Sequence, residues 1–175
     1  PVHVIFLELI MGPTCSIIYE NEPMEPGTMS RPPRKMSTTF LSLRRLLVSL
    51  VQGAMITAAC LGIGYYFMNE GASENSIRTL IFLTLLFSNI FLTLVNRSFE
   101  HSIFQTIRYK NNLVPLIIGL TLLFIAGLLF IPFLQQLFLL ESLPVNQVLT
   151  AAAVALAGTC WIEVLKIFRN KQAVS

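Results

Sequence analysis

Charge is scarce in this chain. Only 12% of its 175 residues are Asp, Glu, Lys or Arg, against roughly 25% in an ordinary soluble domain. Histidine is scarcer still: His3 and His101 stand alone, with no acid or cysteine at ligand spacing. The 3 cysteines, Cys15, Cys60 and Cys160, fall in separate apolar segments. No CxxC pair is present, and the odd count argues against a disulfide framework, so they read as small packing residues. A phosphate-binding glycine loop, a nucleophile elbow and an HExxH helix are all missing. Strand-like alternation is missing too. No basic stretch is interleaved with stacking aromatics outside the apolar blocks, which excludes nucleic acid as a partner.

What the chain has instead is apolar length. Hydrophobic residues make up 54% of it, and its mean hydropathy is +0.71. They are gathered in blocks approaching the roughly 20 residues that a membrane-spanning helix needs. The expected fold is all-α, a polytopic membrane bundle of about five transmembrane helices in a lipid bilayer. The spans are read at 1–19, 46–68, 78–96, 112–134 and 145–166, with 20–43 as a cytoplasmic loop. Pro1 lies directly in an apolar segment, without a basic leader region or a small-residue cleavage site. That predicts a piece of a longer polypeptide and not a signal peptide.

Orientation follows from the basic residues. Of the 12 Lys and Arg, all but Arg78 fall in or beside residues 20–45, residues 97–110 or the C-terminal stretch from Lys166. The opposite connections carry Glu70, Glu74 and Glu141. This pattern places the C-terminus in the cytoplasm and makes the basic pI of about 9.0 a topology signal.

The chemically loaded stretch is ELIMGPTCS at residues 8–16. A carboxylate at membrane depth is costly and marks a functional candidate. Pro13 lacks an N–H and clashes with the carbonyl four residues back, so it frees the C=O of Leu9, while Gly12 loosens the helix further. Glu8 and the Leu9 carbonyl are therefore the candidate cation ligands, with Gly12 and Pro13 as the structural break. On the third segment Thr84 and Ser88, then Asn89 and Thr93, form a polar edge at helical spacing that must face protein or water; Asn89 is a further candidate ligand. Gln52 reads as an interhelical hydrogen bond. Glu163 and Lys166 are three apart and read as a structural ion pair. Small residues at Ala54, Ala58 and Gly62, beside Gly53 and Thr57, and at Ala151, Ala155 and Thr159, allow close helix approach. Pro115 lies near the start of the fourth segment and Pro132 near its outer end.

The run LELIMGPTCSIIYENEPMEPGTMSRPPR resembles the sixth membrane helix and following loop of P-type cation-transporting ATPases of the calcium-pump-like branch. NRS at 96–98 is similar to the end of the eighth helix in bacterial members, and WIEVLKIFRN at 161–170 to the end of the tenth. The resemblance covers essentially the whole chain and implies helices six to ten of such a pump. It implies transport of a cation (calcium, another cation or a proton) driven by ATP through a phosphoaspartate intermediate. ATP and Mg2+ would bind upstream domains of the same polypeptide, so this stretch would hold no cofactor and hydrolyse nothing alone. The location implied is a bacterial inner membrane. The family's sixth helix presents a polar or acidic residue, a threonine and an aspartate at the positions of Glu8, Met11 and Gly12, so Glu8 alone keeps an ion-binding side chain. The alternative is a non-catalytic polytopic scaffold, or a pump-like regulator without transport of its own.

Overall fold

A computed structural model describes residues 5–7, 12–22, 43–97 and 111–172. Residues 5–7 are helical. The helices that follow are α1 (Gly12–Glu20), α2 (Leu43–Asn69), α3 (Glu74–Val95), α4 (Leu113–Phe130), α5 (Pro132–Phe138) and α6 (Val145–Gln172). Among the described residues there is no strand. Four stretches are long and apolar enough to cross a membrane: Leu46–Asn69, Glu74–Val95, Leu113–Phe130 and Val145–Glu163. The all-α membrane bundle expected from the sequence is therefore the fold observed.

Helix α3 is the centre. Leu80, Leu83 and Leu86 on it are fully buried, and so is its polar edge: Thr84, Ser88 and Thr93 face protein, with Asn89 half-buried. Two of these hydroxyls satisfy themselves one turn back, Thr84 Oγ1 donating to Leu80 O at 2.8 Å and Thr93 Oγ1 to Asn89 O at 2.7 Å. Helices α2 and α6 pack on α3 and on each other. On α6 the small stripe does what its spacing implies, with Ala151, Ala155 and Thr159 wholly buried. A Cβ on Gly158 would come within 3.3 Å of Ala59 Cβ, so the α2–α6 approach depends on that hydrogen.

On α2 the stripe in use differs from the one read in the sequence. Ala54, Ala58 and Gly62 are exposed, and a Cβ on Gly53 or Gly62 would meet nothing within 4 Å. The buried face carries Gln52, Cys60, Ile63 and Gly64 instead. Gly64 lets Ile81 in, its would-be Cβ lying 3.0 Å from Ile81 Cδ1. The choice lies with the bulky partners: Ile63 needs burial more than the small residues need a neighbour.

Pro132 turns the chain. The fourth apolar segment, read to 134, is helical to Phe130. Ile131 is then extended (φ −97°, ψ 111°) and Pro132 opens α5, since a residue before proline avoids the α conformation. Helix α5 returns Phe138 to the core, where it meets Phe6, Phe82 and Phe124. Phe6 stacks on Phe124 with centroids 4.2 Å apart and meets Phe138 edge-on at 5.6 Å. The first segment is thereby pinned to α3, α4 and α5.

The end of the bundle near Glu141 is closed by hydroxyls. Ser73 caps α3, accepting from the Ser76 N–H, and Ser73 Oγ and Ser76 Oγ both donate to Glu141 Oε2, at 2.6 and 2.9 Å. The Glu141 N–H donates to Thr79 Oγ1 at 2.9 Å. Those two hydroxyl donors hold the Glu141 carboxyl below its ordinary range.

Candidate functional site

The candidate ligands Glu8 and Leu9, with Met11, lie outside the described residues, between the pinned Phe6 and the start of α1. Gly12 begins α1 and is exposed, with open space where a Cβ would stand. Pro13 follows in the first turn, where backbone N–H groups have no intrahelical acceptor, so its missing donor removes no helical bond. Ser16 Oγ donates to Gly12 O at 3.2 Å. The chain is thus helical at residues 5–7 and again from Gly12, on either side of Glu8.

Helix α1 meets the polar edge of α3. Cys15 Sγ is 3.0 Å from Thr93 Oγ1. Because Thr93 spends its proton on Asn89 O, the thiol supplies the hydrogen between them. Asn89 therefore sits one turn along α3 from a residue that touches α1. Among the described residues, no group of three or more His, Cys, Asp or Glu side chains is placed to hold a metal ion.

The densest polar arrangement lies at the other end of α1. Arg97 grips Glu22 with its fork, Nη2 to Oε1 at 2.7 Å and Nε to Oε1 and Oε2 at 3.1 and 3.2 Å. The two side chains are only 4% and 11% exposed. Asn111 joins them: its Nδ2 donates to Glu22 Oε2 at 2.9 Å and to Ile18 O at 3.1 Å, and its Oδ1 accepts from Asn21 Nδ2 at 3.2 Å. In the sequence Arg97 reads as a topology marker and as part of the NRS run at 96–98, and Glu22 and Asn111 carry no individual role. The available signal was an acidic stretch after the first segment, at the same end of the bundle as a basic one after the third.

Three consecutive residues at the end of α3 each hold a different helix. The Val95 carbonyl accepts from Lys166 Nζ of α6 at 2.6 Å. Asn96 Oδ1 accepts from Gln52 Nε2 of α2 at 3.3 Å, the interhelical bond expected of Gln52. Arg97 holds Glu22 beyond α1. Glu163 pairs with Lys166 at 2.9 Å, the structural ion pair expected from their spacing. A helix C-terminus is a natural place for cations, since its last carbonyls are unpaired and its dipole is negative there.

Residues 1–168 match the family described as "Cation transporting ATPase, C-terminus". Calcium-transporting ATPase 1 of Saccharomyces cerevisiae is 28% identical over 160 residues, covering 86% of this chain and 16% of that protein. Calcium-transporting ATPase 1 of Yarrowia lipolytica is 25% identical over 179 residues, covering 100% of this chain and 19% of that protein. Calcium-transporting ATPase type 2C member 2 of Homo sapiens is 27% identical over 166 residues, covering 94% and 17%. The chain thus spans less than a fifth of the length of each of these relatives.

Proposed function

This chain belongs to the family of cation-transporting ATPases, as its C-terminal region, and on that footing we propose that it forms part of the ion pathway of an ATP-driven cation pump. The observation that carries the reading is the match over residues 1–168, which takes in the Glu8 to Pro13 stretch. In this reading Glu8 supplies the carboxylate, the Leu9 carbonyl a backbone oxygen and Asn89 a neutral oxygen from α3; because Pro13 falls in the first turn of α1, its missing N–H is not what frees that carbonyl. ATP and Mg2+ act on other domains of the same polypeptide. Calcium is the first cation to try, because the relatives carry that name, with other cations and the proton behind it. A hard divalent cation takes six to eight oxygens and usually more than one carboxylate, so the remaining ligands come from outside this chain. The distribution of the basic residues supports a cytoplasmic position for the Arg97 end and the C-terminus. A bacterial inner membrane rests on the NRS at 96–98 alone; the relatives above are fungal and mammalian.

The test is cation-stimulated ATP hydrolysis by the full-length protein, measured across calcium, manganese, magnesium, sodium and pH, before and after Glu8→Gln. Stimulation by one cation, reduced in the variant, supports the pump. Activity indifferent to every cation in both proteins sinks it in favour of a pump-like regulator.

A further inference from the structure

We propose that Glu22 and Arg97 are positioning residues for the cation site, helping to set the height of α1 and of its first residue, Gly12, against the rest of the bundle. The proposal rests on the transport reading above. Helix α1 is tied unevenly. Gly12 is exposed, with room where a Cβ would stand, and its half of the helix meets α3 through Cys15 and Thr93 at 3.0 Å, while at its other end Ile18 O, Asn21 and Glu22 are all bonded to Asn111 or Arg97. A helix of 9 residues is a stiff rod of about 13 Å at 1.5 Å per residue. Where Asn111 holds its Ile18 end beside the Glu22–Arg97 pair, the Gly12 end follows, and Gly12 is four residues from Glu8 in sequence.

The holding point is itself fixed. Arg97 follows Val95 and Asn96, which Lys166 and Gln52 tie to α6 and α2. The guanidinium fork meets both carboxylate oxygens, so it sets direction as well as distance. With both side chains nearly buried, water does not screen the pair. A lysine would keep the charge and lose the fork.

The experiment uses the full-length protein in liposomes, with calcium chloride and manganese chloride as probes. Glu22→Gln, Arg97→Gln, Arg97→Lys and the Glu22→Gln/Arg97→Gln double variant are compared with the unaltered protein. The readouts are half-saturating cation and maximal rate of ATP hydrolysis, with amide exchange of residues 12–22 and 43–95 in the same samples. Each single Gln variant is expected to raise half-saturating cation by roughly three- to thirtyfold, with a smaller change in maximal rate. The double variant should be no worse than the singles, and Arg97→Lys intermediate. Exchange should rise in residues 12–22 and stay level in α2 and α3. An unchanged half-saturating concentration, or exchange rising equally along α2 and α3, overturns the proposal. If the unaltered protein responds to no cation, the transport reading has failed, and a level exchange profile in residues 12–22 separately refutes the hold on α1.

Discussion

Lys166 Nζ donates to the carbonyl oxygen of Val95 at 2.6 Å, across 71 residues of sequence. The same ammonium meets Glu163 at 2.9 Å, so one cation answers both a helix-end carbonyl on α3 and a carboxylate on its own helix. Lys166→Met keeps the aliphatic stem and removes the charge. The carbonyl and the carboxylate both lose their cation in a nearly buried place, where breaking one side of an ion pair costs about 3 kcal/mol or more. The melting temperature of the purified protein in detergent should fall clearly. Glu163→Gln should cost less, because an amide oxygen still accepts from Lys166 and leaves no buried anion. Equal losses in the two variants would mean that the Val95 contact contributes nothing.

The carboxylate of Glu141 makes stability depend on pH in a defined direction. Its pKa is lowered in the fold from an ordinary 4.5 by hydrogen bonds from Ser73 and then Ser76. A depressed folded value means that the stabilisation is complete above 4.5 and is lost as pH falls through the lowered value. Glu141→Gln should therefore melt below the parent protein at pH 6, and the difference should shrink steadily as the buffer is taken toward pH 3. A constant difference across that range would show that the two hydroxyls do not favour the ionised form.

What could be read beforehand divides by sequence distance. The Glu163 and Lys166 pair was legible because three residues on a helix are neighbours by geometry alone. Burial of Ala151, Ala155 and Thr159 was legible for the same reason. Gln52 announced a partner, since an amide two turns into an apolar helix has to find one. The Glu22–Arg97 pair spans 75 positions, and nothing periodic links its members; only the shared end of the bundle does. The face of α2 was likewise not decided by its own small residues, because the stripe at Ala54, Ala58 and Gly62 is exposed and the face carrying Ile63 and Gly64, which meets Ile81 of α3, is buried. Of the candidate ligands, Asn89 is placed half-buried on α3, while Glu8 and Leu9 lie outside the described residues.

Leu139 is held at φ 50°, ψ 47°, the left-handed conformation, where it ends α5. A β-carbon makes that conformation cost about 1 kcal/mol, and glycine is the usual occupant of such a helix end. The side chain is 60% exposed, so little burial is lost with it. The bond that Leu139 O accepts from Arg78 Nη1 is made by the backbone and survives substitution. Leu139→Gly should accordingly raise stability by about 1 kcal/mol, read as a higher melting temperature. A lower one would mean that the leucine side chain contributes more to this joint than its exposure indicates.

Gly158 and Gly62 make opposite demands although both lie inside long apolar helices. Glycine is worse than alanine in a helix interior by roughly 1 kcal/mol, so a glycine with room around it is a loss waiting to be recovered. Gly62 has room: nothing lies within 4 Å of where its Cβ would be. At Gly158 the new carbon would stand 3.3 Å from Ala59 Cβ and 3.6 Å from the Met55 carbonyl oxygen, and neither can swing away as a long side chain would. Gly62→Ala should leave the melting temperature of this chain level or raise it. Gly158→Leu should lower it, overpacking a tight interface at a cost of about 1–3 kcal/mol, with α2 forced away from α6. The Gln52–Asn96 bond between α2 and the end of α3 would then stretch from 3.3 Å, so Gln52→Leu should cost less in the Gly158→Leu background than alone. Additive losses in that double variant would separate the two contacts and leave Gly158 a local packing site only.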